Sequence, residues 1–186
     1  MTKRLSVSIL LFAASLFCLT AGARAQDKPP THDGPYIKGY GAVFAVPDAD
    51  FKPPTDHVFK VIFSVTRTPK SASELNSNID TVARYLNMQG QAGVPLKNMK
   101  LALILHGPAG KDALSNAAYQ ARYHTDNPNL GLLEALHQAG VAIYICGQTA
   151  AARGFAKKEL APQVQLSLSA LTVMTTLAGE GYVVMP

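Results

Sequence analysis

The sequence predicts a three-layer α/β sandwich built on a mostly parallel, five-stranded sheet. Three observations carry that expectation. From residue 58 onward, short apolar runs alternate with stretches of helical periodicity, beginning and ending on a strand. The run from Met99 to Leu105 is nearly all apolar, as a strand covered on both faces must be. Gly or Pro punctuates most of the passages between the runs.

Taken in chain order, residues 1–25 read as a secretory signal. Lys3 and Arg4 supply a positive start, Leu5 to Leu19 an apolar run, and Ala23-Arg24-Ala25 a small-x-small cleavage site. A membrane anchor is the rival, but the run is shorter than the roughly 20 residues a spanning helix needs and is closed by Thr20, Gly22 and Arg24. A lipid anchor on Cys18 is disfavoured by the bulk of Phe17 beside it. The mature chain is expected to begin at Gln26, to be periplasmic or secreted, and to have no segment inserted in a membrane.

Residues 26–57 form a proline-rich arm, with Pro29, Pro30, Pro35, Pro47, Pro53 and Pro54 blocking regular structure. Tyr40 to Val46 is its one candidate extended piece. Two readings of the arm stand side by side: a strap around a neighbouring subunit, or a partly ordered leader.

The α/β domain is expected over 58–186. Val58–Val65, β-branched and aromatic, reads as the first strand. Ser71 or Ser73 can cap the helix that follows, whose apolar positions are Leu75, Ile79, Val82, Ala83 and Leu86, with Gly90 and Gly93 ending it. Met99–Leu105 is the second strand, closed by His106-Gly-Pro-Ala-Gly110. The stretch Ala113–Tyr123 is a short helix or an ordered loop. Asn127 caps and Pro128 opens the next helix, with Leu130, Leu133, Ala135 and Leu136 inward, His137 solvated and Gly140 as the stop. Val141–Ile145 is the third strand, Thr149–Ala156 a short helix, and Val164–Leu168 a fourth strand. Ser169 caps a helix over Ala170–Ala178, and Tyr182–Met185 closes the sheet.

Composition narrows the function classes. The formal charge is +5, but Lys3, Arg4 and Arg24 leave with the signal and reduce it to +2, which gives no electrostatic case for nucleic acid. The five histidines make neither HxH nor HExxH, so no metal site is expected, and nothing implies a cofactor. Gly107-Pro-Ala-Gly-Lys111 has the wrong spacing for a phosphate loop, with Asp112 where Ser or Thr should hold magnesium. No GxSxG elbow occurs. Tyr119, Arg122 and Tyr123 form an aromatic-basic cluster, read as a pocket mouth or, better, a solvated helix face.

Of the two cysteines, Cys18 leaves with the signal and Cys146 remains alone, so no intramolecular disulfide can form. In a parallel sheet, ligands meet the carboxyl ends of the strands. His106 ends the second strand there and Cys146 the third. Gly147-Gln148-Thr149 leads directly into a helix, whose unpaired N–H groups favour an anion. A thiolate at Cys146 is therefore expected below its free pKa of about 8.5. Gly147 and Gly107 would admit a ligand close to the backbone, Gln148 and Thr149 would hydrogen-bond it, and His106 would pair with the thiolate. The competing reading makes Cys146 a small buried hydrophobe and His106 a hydrogen-bonded structural group.

Gly140-Val-Ala-Ile-Tyr-Ile-Cys-Gly-Gln-Thr149 resembles the central segment of the DsrE/DsrF-like family. Leu101-Ala-Leu-Ile-Leu-His-Gly-Pro-Ala109 resembles that family's second strand and following loop, and Ala178-Gly-Glu-Gly-Tyr-Val-Val184 its last helix-to-strand passage. Gly39-Tyr-Gly-Ala-Val-Phe44 is similar to the leader of exported members. The resemblance covers about 58–186. It implies a five-stranded parallel sheet with adjacent second and third strands, a trimer or hexamer, and a cysteine that carries sulfur as a persulfide, a role that falls on Cys146 alone. A sulfur donor or acceptor protein would then be the partner. Export departs from the pattern, because sulfur-relay members work in the cytoplasm. The alternative function is a non-catalytic oligomeric binding protein, or an accessory subunit of a periplasmic redox or sulfur assembly. The apolar stretch Val164–Ala178 is read as subunit contact or as ordinary core.

Overall fold

The computed structural model describes residues 31–185; the expected signal and the first residues of the arm lie outside them. Five strands, β1 (Phe59–Val65), β2 (Met99–Leu105), β3 (Ala142–Cys146), β4 (Val164–Ser167) and β5 (Val183–Met185), form one sheet in the order β4-β3-β2-β1-β5. Every pairing is parallel. The helices are α1 (Ser77–Gln91), α2 (Asn116–Tyr123), α3 (Leu130–Gln138), α4 (Gly147–Ala152) and α5 (Ala170–Gly179), with a 3-10 segment over Gly107–Ala113. The five strands, their succession along the chain and the parallel α/β architecture follow the sequence expectation.

The two faces of the sheet are covered unequally. Strand side chains alternate in direction, so odd and even positions of each strand go to opposite sides. Val61, Phe63, Val65, Leu101, Leu103, Leu105, Ile143 and Ile145 meet α1, α3 and the Gly107–Tyr123 region in the main core. Ile62, Ala102, Ile104 and Cys146 meet α5 in a smaller second cluster, closed by Ala170. Lys100 apart, both β2 sets are buried, which is why its sequence shows no alternation.

Helix boundaries moved from the expected ones for identifiable reasons. The cap of α1 is Asn76, not Ser71 or Ser73; its side chain accepts from the Asn78 N–H, while the two serines bond one another in the preceding turn. Leu75 therefore lies outside the helix, which runs through Gly90 to Gln91. In α3 the start is two residues later than expected, with Asn129 as the cap position; Asn127 instead accepts from the Asn129 N–H, and Leu132 joins Leu133 and Leu136 inside. The short helix after β3 begins at Gly147 itself and ends at Ala152, earlier than expected at both ends. Ser169 does cap α5, accepting from the Thr172 N–H.

The described part of the arm packs on its own domain. Ile37 and Val43 are each 2% exposed, and His32 and Val43 form a lone antiparallel bridge in place of a longer extended piece. Asn87 of α1 clamps the segment through its side-chain amide. The Tyr119–Arg122–Tyr123 cluster is neither a pocket mouth nor a solvated face. Tyr119 is fully buried against Lys111, and Arg122 pairs with Glu159 at 2.9 Å.

Candidate functional site at the ends of β2 and β3

Cys146 is the last residue of β3 and the cap position of α4. Its φ of −63° and ψ of 119° are extended, so the chain turns from strand to helix immediately behind the sulfur. The register aligns Leu105 with Ile145, so His106, the residue after β2, and Cys146, the last of β3, each stand one position beyond that pair and on the α5 face. The adjacency of β2 and β3 is thus as the resemblance implied.

The environment of Cys146 holds two opposing influences. The residue keeps only 7% of its surface and packs with Ile62, Ala102, Ile104 and Ala170. Burial alone pushes the thiol pKa up. The Thr149 N–H, the Ala170 N–H, the Thr149 hydroxyl and the Gln148 N–H act against it, and the net result lies below the ordinary thiol value. The thiol makes no capping hydrogen bond. A neutral thiol is a weak acceptor, whereas a thiolate draws on every N–H dipole around it, so the arrangement favours the anion. Gln148 and Thr149 lie in the first turn of α4 and Ala170 opens α5, so the groups that favour the thiolate come from two helix starts. The α5 contribution was invisible in the sequence, because 23 positions separate the two residues.

Of the two readings of His106, its contacts fit the hydrogen-bonded structural group. Its Nε2 lies 2.9 Å from Ser64 Oγ on β1. Burial holds its pKa below the usual histidine range, so the ring is neutral near pH 7 and is no counter-ion for a thiolate. Ser64 was missed in the sequence; the only signal was a hydroxyl inside a strand whose other residues, Lys60 apart, are apolar. The depressed value has a sign for stability. The unfolded chain takes up this proton more readily than the fold. His106's share of stability is present above about pH 6.5 and is lost as pH falls through the lowered folded value. Denaturation measured at pH 7.5 and pH 5 should show a modest acid loss in wild type that is smaller in His106→Asn; equal losses would refute the assignment.

The two glycines have structural tasks. At Gly147 a Cβ would fall 2.3 Å from the Ser167 carbonyl oxygen and 2.9 Å from that of Leu168. The close approach expected of a ligand is thus made by the chain's own β4 end. Gly107 has a φ of +54°, with open space around its missing Cβ, and its N–H donates to Thr149 Oγ1 at 3.0 Å. Gln148 is exposed, with its amide 3.4 Å from the Leu168 carbonyl. Leu168 and Leu171, 73% and 71% exposed, surround this corner with apolar surface. Lys111, from the rejected phosphate-loop stretch, turns inward instead to Asp112 and Tyr119. Among the described residues no group of three or more His, Cys, Asp or Glu side chains is placed to hold a metal ion.

No curated protein matches the chain. Among solved structures it is similar to a protein of unknown function, MTH1491, from Methanobacterium thermoautotrophicum. That match has 16% identity and a TM-score of 0.49, covering 68% of this chain and 97% of the other. It is also similar to the ychN protein from E. coli, at 17% identity and a TM-score of 0.49, covering 68% of this chain and 99% of the other. A family model describing DsrE/DsrF-like proteins matches residues 59–186, the span that holds all five strands, His106 and Cys146, and the chain belongs to that DsrE/DsrF-like family.

Proposed function

We propose that the protein handles sulfane sulfur through Cys146, carrying it as a persulfide between a donor and an acceptor outside the cytoplasm. The observation that carries this reading is the place of Cys146, the last residue of a parallel strand and the cap position of α4, where the nearby N–H groups hold its thiol below the ordinary pKa. The Cys146 thiolate attacks the outer sulfur of a donor such as thiosulfate. A new S–S bond forms, the donor's S–S bond breaks, and sulfite leaves with the electron pair. An acceptor thiolate then attacks the outer sulfur of the persulfide, and Cys146 departs as thiolate, so no net oxidant is consumed. The amides that favour the thiolate also favour the persulfide anion. The exposed Leu168 and Leu171 around the start of α5 supply apolar surface for a homo-oligomer, proposed as a trimer or hexamer, or for the donor or acceptor protein.

Mass spectrometry after polysulfide or thiosulfate treatment should show added sulfur of about 32 Da on wild type and none on Cys146→Ala. Absence of the adduct on wild type, or an equal adduct on the variant, would end this reading. A second reading is favoured by one observation, the 7% exposure of Cys146. In it the protein is a non-catalytic binding or accessory subunit and the cysteine is packing. Slow alkylation of the native thiol, and fast alkylation only after unfolding, would select it.

A further inference from the structure

Thr149 stands at the third position of α4, three residues after Cys146 at the cap. In a capping box, the side chain at the third position folds back across the first helical turn toward the cap residue. Here a third group enters from outside the helix. Gly107 follows β2, and its left-handed backbone aims its N–H at Thr149 Oγ1, 3.0 Å away. The threonine methyl is fixed as well: a Cβ on Gly110 would lie 2.6 Å from Thr149 Cγ2, so the glycine and the methyl fill one space. The side chain is thus held at both branches by the segment after β2. With an Oγ1 lone pair occupied by the Gly107 N–H, the hydroxyl proton is left for another acceptor. A helical threonine can donate it to the carbonyl three or four residues back. Here the carbonyl four residues back, on Ile145, already accepts from the Ser167 hydroxyl at 2.9 Å, while the Thr149 hydroxyl is among the groups that favour the Cys146 thiolate.

We infer that Thr149 is a positioning residue: held by the Gly107 N–H, its hydroxyl presents its proton to the Cys146 sulfur and so couples the loop after β2 to the nucleophile. Anything that moves Gly107, including a donor or partner seated on that loop, changes how well the anion at Cys146 is held. The consequence for sulfur transfer rests on the role proposed for Cys146, but the bridge itself is measurable without sulfur chemistry.

The test is a thiolate titration by absorbance near 240 nm on the full chain carrying Cys18→Ser, where Cys146 is the single thiol. Thr149→Val keeps the shape and removes the hydroxyl, Thr149→Ala removes both branches, and Thr149→Ser keeps the hydroxyl without the methyl. The titration midpoint should rise by roughly one pH unit in the Val and Ala variants. The Ser variant should return to within about a third of a unit of the parent. Coincident midpoints for Val and the parent, or equal rises in Val and Ser, would overturn the inference, the latter by assigning the effect to methyl packing. Persulfide loading is scored separately on the parent. A parent that takes up no sulfur, while the midpoints separate as stated, would refute the carrier role and sustain the Thr149 bridge.

Discussion

Lys111→Met should lower the unfolding free energy by about 3–5 kcal/mol, the usual cost of stranding one member of a buried ion pair. Asp112 is fully buried. One carboxylate oxygen accepts from Lys111 Nζ at 3.0 Å and the other from Asn76 Nδ2 at 2.7 Å, with the Thr68 hydroxyl at 3.3–3.4 Å. Lys111 Nζ also donates to Tyr119 Oη at 2.7 Å, and Tyr119 donates onward to the Ala72 carbonyl at 2.8 Å. Burial works against the ammonium, but the Tyr119 and Asp112 interactions outweigh it and hold the Lys111 pKa above its ordinary value. The ion therefore stays charged in the fold, and methionine in its place leaves Asp112 with neutral partners only. For a domain of this size the loss is a fall in Tm of roughly 10 °C. The double variant Lys111→Met with Asp112→Asn removes both charges together. It should recover much of the deficit, because the cost lies in the unpaired charge. Denaturant titration of the parent, the two single variants and the double checks this. A Lys111→Met loss below about 1 kcal/mol, or additive losses in the double, would show that the pair is not coupled.

That network marks where sequence reasoning stops. β2 was legible residue for residue, because a strand buried on both faces writes itself as an apolar run between Asn98 and His106. The start of α1 was not. Ser71, Ser73 and Asn76 are all acceptable caps by residue type. The choice is made by partners far along the chain: Asn76 Nδ2 donates to Asp112 and the Asn76 N–H to Asn129 Oδ1. The Gly107–Lys111 stretch could be excluded as a phosphate loop by spacing, yet nothing local says that Lys111 turns into the core. At the site, Cys146 and its helix were legible from Cys-Gly-Gln-Thr, because a strand end followed by a helix start is a local feature. The extent of that helix was misjudged, since Gly147 is a poor helix former. It is tolerated there because only a residue without Cβ clears the Ser167 carbonyl. The Ser64 partner of His106 and the Ala170 amide at the sulfur depend on sheet order, and no local pattern announces them.

Asn87→Leu should free the arm from the domain. This side chain has no exposure and lies on the inner stripe of α1, four residues after Ala83, where the periodicity would place an apolar residue. Its Oδ1 accepts from the Tyr36 and Ile37 N–H groups at 3.2 and 2.9 Å. Its Nδ2 donates to the carbonyls of Ile37, Tyr40 and Gly41 at 2.9–3.1 Å. A glycine at position 34 is part of the fit, because a Cβ there would fall 2.0 Å from Asn87 Cγ. The rest of the hold on this segment is apolar and sparse in hydrogen bonds: Ile37 and Val43 are buried, Tyr36 and Tyr40 pack on the core, the Tyr36 hydroxyl donates to the Val94 carbonyl at 2.8 Å and the Gly41 N–H to Asp80 at 2.7 Å. Leucine is close in volume but leaves those five backbone groups without their partner. A buried unsatisfied group costs about 1–3 kcal/mol. Opening the arm to water is cheaper than tolerating several, so the loss is capped at the docking free energy, about 2–4 kcal/mol. The sheet and α1 stay folded, since the arm lies outside them. Hydrogen exchange at Tyr36 and Ile37 should accelerate by roughly two orders of magnitude, and protease cleavage should appear between residues 31 and 46. Unchanged protection of both amides in the variant would mean that the arm is held by its apolar anchors rather than by Asn87.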